Sequence, residues 1–236
     1  MILEVKDLHS YYGKSHVLQG VEFSMKAGQV VCLLGRNGVG KSTTLKSIMG
    51  LVQPRRGKVL FQGRELSGKA PFEIARLGVG YVPEERRIFK SLTVMENLLI
   101  GVKAPRQTKG IGAWTVEQVF DSFPILAERR HHKGGRLSGG EQQMLTIART
   151  LMGNPDLLLV DEPTEGLAPM VAAGVLRMLA TIKAAGVTTL MVEQNYRAAF
   201  ELGNSFHIMS KGRIVFRGNA EELLAAEDVR MKYLEV

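Results

Sequence analysis

Val30-Val-Cys-Leu-Leu34-Gly35-Arg36-Asn37-Gly38-Val39-Gly40-Lys41-Ser42-Thr43 is the stretch that decides the fold. Val30–Leu34 is apolar throughout and reads as a strand covered on both faces, as in a parallel sheet. Gly35 to Ser42 fits G-x-x-x-x-G-K-[ST], and a helix-like run, Thr43–Met49, follows. Strand, glycine loop and helix in that order make a phosphate-binding loop. The glycines let the backbone curl, so that several N–H groups point at one phosphate. The helix N-terminus adds partial positive charge. Lys41 is placed to reach the β- and γ-phosphates of a nucleotide, and Ser42 to ligate Mg²⁺.

Other short runs rich in Val, Ile, Leu and Phe flank this stretch: Ile2–Val5, Val21–Met25, Val59–Phe61, Val79–Val82, Leu157–Val160, Thr188–Val192, Phe206–Met209 and Ile214–Phe216. Leu157–Val160 reads as a second strand covered on both faces. The first strands are short and close together, which predicts an antiparallel edge layer. Residues 85–155 read mostly helical, with capping-box patterns at Thr93-Val-Met-Glu96 and Ser138-Gly-Gly-Glu141. Lys103–Gly112, rich in Gly, Lys and Pro, reads as a surface loop. No internal repeat or low-complexity tract interrupts the pattern. The expectation is a single α/β domain over residues 1–236, interrupted by a helical insert over roughly 85–155.

Composition narrows the class. The 236 residues are 45% hydrophobic and 23% charged, which excludes a mainly disordered chain. No apolar run approaches the roughly 18 residues of a membrane-spanning helix. The N-terminal Met1-Ile-Leu-Glu4 carries charge inside its apolar run and does not read as a secretory signal. Cys32 is the one cysteine, so no internal disulfide forms and a reducing compartment is expected. The net charge of +8 sits in the first half, where residues 1–110 hold 18 Lys+Arg against 8 Asp+Glu. A basic half fits nucleic acid, an anionic membrane or a nucleotide, and equally a solvated basic face, so charge alone decides little.

Two further strings carry chemistry. Leu157-Leu-Leu-Val-Asp161-Glu162 is an apolar strand ending in two carboxylates. Burying paired acids there is costly unless a cation or a reactive water uses them. With a phosphate loop upstream, Asp161 is the expected Mg²⁺ partner and Glu162 the candidate general base for an attacking water. In Leu137-Ser138-Gly139-Gly140-Glu141-Gln142-Gln143, a serine and two glycines open a helix, a second phosphate-binding design. One γ-phosphate needs one such site, so the second is expected to serve the nucleotide of another subunit.

These strings together resemble the nucleotide-binding subunits of ATP-binding cassette (ABC) transporters, over nearly the whole chain. The resemblance implies an antiparallel β layer, a RecA-like P-loop NTPase core and a helical subdomain. It implies two ATP molecules sandwiched between the P-loop of one subunit and the signature, here Ser138 to Glu141, of the other. An aromatic residue near the N-terminus stacks on adenine in the family, and Tyr12 matches that position better than Tyr11. Tyr81-Val-Pro-Glu84 with Arg86, Arg87 and Phe89, Asp161-Glu-Pro-Thr-Glu-Gly-Leu-Ala-Pro169 and Val192-Glu-Gln-Asn195 resemble, more narrowly, the LivF-type subunits of branched-chain amino acid importers. Related urea and amide importers share much of this pattern. Such subunits form half of a heterodimer on the cytoplasmic face of the membrane, beneath two permeases fed by a periplasmic solute-binding protein.

The same strings depart from the broad family in three places. The Mg²⁺-contacting Gln is Glu84 here, the Asp of the loop after the catalytic Glu is Ala168, and the switch His is Gln194. Glu84 offers an oxygen to Mg²⁺ with extra negative charge. Gln194 donates a hydrogen bond but carries no positive charge. Lineage habit and altered hydrolysis both fit these changes. His131-His132, among Arg129, Arg130 and Lys133, reads as a solvated basic loop; Met144, Met152 and Cys32 read as packing. The resulting expectation is ATP hydrolysis that powers import of branched-chain amino acids or a similar polar solute. Two other readings remain: a cassette ATPase acting on nucleic acid or the ribosome, and a regulatory module that binds ATP with little turnover. The first usually carries paired cassettes or a coiled-coil insert, which this chain lacks, so no nucleic acid is expected.

Overall fold

A computed structural model describes residues 1–103 and 113–235. Its strands, in chain order, are β1 (Leu3–Tyr12), β2 (Ser15–Met25), β3 (Val30–Leu34), β4 (Arg56–Phe61), β5 (Arg64–Glu65), β6 (Val79–Val82), β7 (Leu157–Asp161), β8 (Thr188–Glu193), β9 (Ser205–Ser210) and β10 (Arg213–Gly218). They form two sheets. One is antiparallel with order β2-β1-β4-β5; the other has order β10-β9-β3-β8-β7-β6 and is parallel except for β10. The expected antiparallel edge layer and the two fully covered strands are both present.

Alternation along the central strands explains why they had to be apolar throughout. On β3, Val30, Cys32 and Leu34 enter one hydrophobic cluster, while Val31 and Leu33 enter the other. On β7, Leu158 and Val160 face the first cluster, and Leu157 and Leu159 the second. Successive side chains point to opposite faces, and both faces are covered. The antiparallel sheet, together with Leu45, Ile48 and Ile74, packs on one side, and most of the helices on the other. Burial pushes the Cys32 thiol well above its ordinary pKa, in keeping with a packing role.

The first strands are longer than the sequence pattern predicts. β1 and β2 pair nearly end to end, with register shifts between Val5 and Leu8, Leu8 and His9, and Ser10 and Tyr11. Each shift resets the alternation, so the hydrophobic period breaks although the ladder continues.

The helices are α1 (Lys41–Ile48), α2 (Pro71–Leu77), α3 (Val94–Gly101), α4 (Val116–Ser122), α5 (Pro124–Glu128), α6 (Gly139–Leu151), α7 (Pro169–Ala184), α8 (Tyr196–Phe200), α9 (Ala220–Ala225) and α10 (Glu227–Tyr233). Both expected capping boxes are formed, Thr93 with Glu96 and Ser138 with Glu141, and Thr115 with Gln118 makes another. α3 to α6 fall in the stretch read as a helical insert, and α3 and α5 pack on α6. Met152 is buried and Met144 packs against the same cluster. His131, His132 and Lys133 are exposed, as a solvated loop requires. Beyond Lys103, the loop expected for Lys103–Gly112 lies outside the described residues.

Candidate functional site

Three neighbouring parallel strands, β3, β8 and β7, end side by side, and each delivers part of the site at its carboxyl end. This is where an open α/β sheet binds its ligands, in the crevice outside the strand ends. β3 delivers the loop Gly35–Gly40 and then α1. Gly35 has φ +149°, and a Cβ there would lie 2.5 Å from Met209 O. Gly40 caps α1 at φ +110°, a conformation that L side chains rarely adopt. Arg36, Asn37 and Gly38 are exposed, Val39 is half-buried and Thr43 is buried in the first turn of α1. Arg36 Nη2 donates to the carbonyl of Glu235, which turns its guanidinium to the C-terminal segment (2.9 Å).

Lys41 is 3% exposed. Its Nζ donates to the carbonyls of Gly35 (2.8 Å) and Arg36 (3.1 Å) and pairs with Glu162 Oε1 at 3.0 Å. Three oxygens thus hold the ammonium at the centre of the loop, where a phosphate oxygen would compete for it. Glu162 follows β7 and is 8% exposed. Its φ of +41° is rare for a residue with a side chain, and its N–H donates to Val192 O of β8 (3.0 Å).

Asp161, the last residue of β7, is 1% exposed. Its Oδ2 accepts from the Tyr81 hydroxyl (3.0 Å), Ser42 lies close to the carboxylate, and burial raises its pKa. Asp161 Oδ1 is buried with no hydrogen-bond partner. An orphaned carboxylate oxygen beside a hydroxyl suits a hard cation that takes oxygen ligands. Glu84, just after β6, is exposed, and its pKa is raised by partial burial and then by Glu162 and Asp161, so it sits in the same negative field. Among the described residues, no group of three or more His, Cys, Asp or Glu side chains is arranged to hold a metal. Ser42 and Asp161 therefore fit a Mg²⁺ that takes its other ligands from phosphate and water, not one caged by protein alone.

Tyr12 ends β1 at a hairpin turn and is 49% exposed, free to meet a flat ring. Tyr11 is engaged: it stacks on His16 at 4.2 Å between ring centroids and takes Arg55 on its ring. Ser138 caps α6. The Glu141 carboxylate turns back to Ser138 N (2.7 Å) and takes Arg129 Nε (3.1 Å), so it is spent on the cap and an ion pair. Gly140 is packed so closely on α7 that a Cβ would overlap Val171, and a Cβ on Gly139 would lie 2.6 Å from Arg86 Nη1. The contacts of this helix start run to Arg129, Arg86 and Val171, all outside the P-loop. Gln194 is exposed at the end of β8.

The residue before it was given no role by the sequence reading. Glu193 is 2% exposed, and its Oε1 accepts from Thr164 Oγ1 (2.9 Å) and Thr164 N (3.3 Å). Burial first, and then the charge of Glu162, push its pKa from 4.5 up to about 7. The folded protein therefore holds a proton that the unfolded chain releases between those two values, and stability falls as pH rises through that window. Glu193→Gln abolishes this dependence. Thermal melts should show the variant gaining on the parent from pH 5 to pH 8, and a constant difference would contradict the shift.

The chain belongs to the ABC transporter family, whose model matches residues 18–165. It is similar to the high-affinity branched-chain amino acid transport ATP-binding protein BraG of Pseudomonas aeruginosa, 39% identical over 99% of both chains. It is also similar to the lipopolysaccharide export system ATP-binding protein LptB of Haemophilus influenzae, 31% identical over 99% of this chain and 97% of that one. The solved ADP conformation of an ATP-binding cassette of an ABC transporter superposes with a TM-score of 0.83 at 29% identity, covering 98% of this chain and 97% of that one. The chain is thus a P-loop ATPase of the ABC class.

Proposed function

We propose that this chain is one of two unlike cassettes that hydrolyse ATP to drive import of branched-chain amino acids, or of a related polar solute, through two permeases. The observation that carries the reading is the meeting of Lys41, Asp161 and Glu162 at the ends of β3 and β7, in a chain 39% identical throughout to BraG. The lower identity to LptB makes export the weaker reading.

Phosphoryl transfer needs mainly positioning and charge stabilisation. The P-loop backbone from Gly35 to Gly40 cradles the phosphates, and Lys41 neutralises them. Ser42 and Asp161, with Glu84 in their field, hold Mg²⁺, which neutralises charge on the phosphates when bound. Tyr12 stacks on adenine. Glu162 orients and deprotonates water. A phosphate oxygen that takes Lys41 Nζ also releases the Glu162 carboxylate from it, so ATP binding readies the base. The N-terminus of α6, with Ser138, Gly139 and Gly140, completes the site of the opposite cassette, while Gln194 serves the site built on this P-loop. Glu141 supports that helix start through its cap. Residues 1–236 act as one cassette domain, with residues 85–155 roughly as its helical subdomain.

A groove between α2, β6, α3 and the end of α6 supports docking on the membrane subunits. Leu51, Phe89 and Ile100 line it and are exposed, as are Phe72, Leu99 and Val102 beside it. Arg149 stacks on Phe89 (5.1 Å) and donates to Arg87 O, which holds this wall of the groove in place. Arg86 and Arg87 are neighbours in the sequence. The structure separates them: Arg87 lines it, whereas Arg86, at φ +46°, turns to Glu165 O (3.1 Å) and Gly139. Among the described residues no helix is long and apolar enough to cross a membrane. On this reading the cassette sits peripherally on the cytoplasmic face beneath the permeases, and the periplasmic solute-binding protein touches only the permeases.

The test is reconstitution with the partner cassette and permeases in vesicles. Labelled leucine, isoleucine or valine should enter on ATP hydrolysis when the binding protein is present. Ile100→Asp and Arg87→Glu should reduce co-purification with the permeases and uptake together, leaving ATP affinity unchanged. Lost ATP affinity with intact permease binding would move the docking surface elsewhere. Uptake of urea or amides alone would reassign the solute.

A further inference from the structure

We propose that Glu193 is a positioning residue: from the end of β8 it clamps the loop after Glu162 through Thr164, and so fixes the Glu162 carboxylate relative to Gln194. The inference rests on the reading that Glu162 acts on the attacking water.

Glu193 and Gln194 are neighbours with opposite fates. Gln194 faces solvent at the strand end, while the Glu193 side chain is buried and spends Oε1 on both donors of Thr164. Thr164 lies two residues beyond Glu162 but 29 residues before Glu193, so the bond ties two separate loops together. Asn195, two residues on, caps the short helix α8 with its side chain on Arg197 N (3.1 Å), so the chain beyond Gln194 is held as well.

What the clamp holds is a strained turn. Glu162 sits at φ +41°, and such a conformation persists only when its surroundings over-determine it. Two backbone bonds contribute, Glu162 N to Val192 O (3.0 Å) and Glu165 N to Glu162 O (3.2 Å). The Thr164–Glu193 bonds add a second anchor to β8, one residue along from Val192. The turn is thereby pinned to the same strand end that presents Gln194. Base and switch residue then move as one body, and their spacing around a γ-phosphate is set before it arrives. A satisfied structural acid would explain the hydrogen bonds, but it predicts no effect on turnover separate from folding.

Oε1 accepts from Thr164 whether or not the carboxyl is protonated, so shape and acceptor matter and charge does not. That gives the test its contrast. In the assembled transporter, Glu193→Leu and Thr164→Val should each lower kcat roughly ten- to hundredfold, the effect of a displaced reacting group. KM for ATP should stay within about threefold, because ground-state binding is untouched. Glu193→Gln and Thr164→Ser keep the bond and should retain kcat within about threefold of the parent. The Leu/Val double variant should be no worse than either single one, since both break the same contact. Should the buried Leu variant fail to fold, Thr164→Val, on a half-buried loop residue, carries the test alone. Additive losses, a raised KM at constant kcat, or a Gln variant as slow as the Leu variant would overturn the clamp. Glu162→Gln, measured alongside, separates the two ideas. If it is inactive while the Glu193 and Thr164 variants run at parental kcat, only the clamp fails. If Glu162→Gln itself turns over normally, the reading of Glu162 fails and the clamp falls with it.

Discussion

Glu162→Gln should leave ATP binding intact and lower turnover by about 10²–10⁴-fold, the usual cost of losing a general base. The side chain keeps its length, and its amide oxygen still faces Lys41 Nζ, now 3.0 Å from Glu162 Oε1. The backbone does not change, so the turn at φ +41° and its bond to Val192 O remain. What is lost is the basicity of the carboxylate, which takes a proton from water where an amide oxygen does not. On the proposed reading, binding is carried by the loop N–H groups, Lys41 and adenine stacking on Tyr12, and Lys41 keeps an oxygen partner at position 162 after the substitution. The ATP-bound, closed pair of cassettes should therefore accumulate instead of resetting. Nucleotide trapping and phosphate release in the assembled transporter read both halves of the expectation. Near-parental phosphate release would remove Glu162 from its role, and lost ATP affinity would show that it belongs to the binding site instead.

The difference between what the sequence disclosed and what it hid follows from how local each feature is. The P-loop is written in eight consecutive residues, since strand, turn and helix start each need their own residue types in order. The Ser138 cap is equally local: its box closes within four residues. Covered strands such as Leu157–Val160 were legible because burial on both faces removes polar positions. The long hairpin β1–β2 was not, because its register shifts break the alternation that marks a strand. Arg86 and Arg87 are adjacent and chemically alike, so only the left-handed backbone at Arg86 reveals that they serve different surfaces. Glu193 looked like one more acid at a strand end. Its meaning lies in Thr164, 29 residues away, and one sequence carries no record of that meeting. A charged residue in a strand otherwise without charge, Thr188-Thr-Leu-Met-Val-Glu193, was the one available signal.

Lys41→Ala should cost both ATP affinity and folding stability, and adding Glu162→Gln should return part of the stability and none of the affinity. Lys41 and Glu162 form an ion pair that is almost wholly buried. Removing one member of such a pair typically costs about 3–5 kcal/mol, because the other charge stays in a poorly solvated site. Here the carboxylate would face Asp161 and the field of Glu84 with its cation gone. Glu162→Gln alone is cheaper, since Lys41 keeps the carbonyls of Gly35 and Arg36. Those same carbonyls lose their donor in Lys41→Ala, which is why the double variant recovers only the share that came from the uncompensated charge. Urea unfolding of the parent, the two single variants and the double variant, without nucleotide, gives the coupling directly. Strong coupling, with the double variant more stable than Lys41→Ala, is the expected result. Additive losses would mean that the 3.0 Å contact contributes nothing to the fold. ATP titrations on the same four proteins should find affinity lost wherever Lys41 is missing and kept in Glu162→Gln. Retained affinity in Lys41→Ala would instead leave phosphate binding to the loop backbone alone and remove Lys41 from the competition that frees the base.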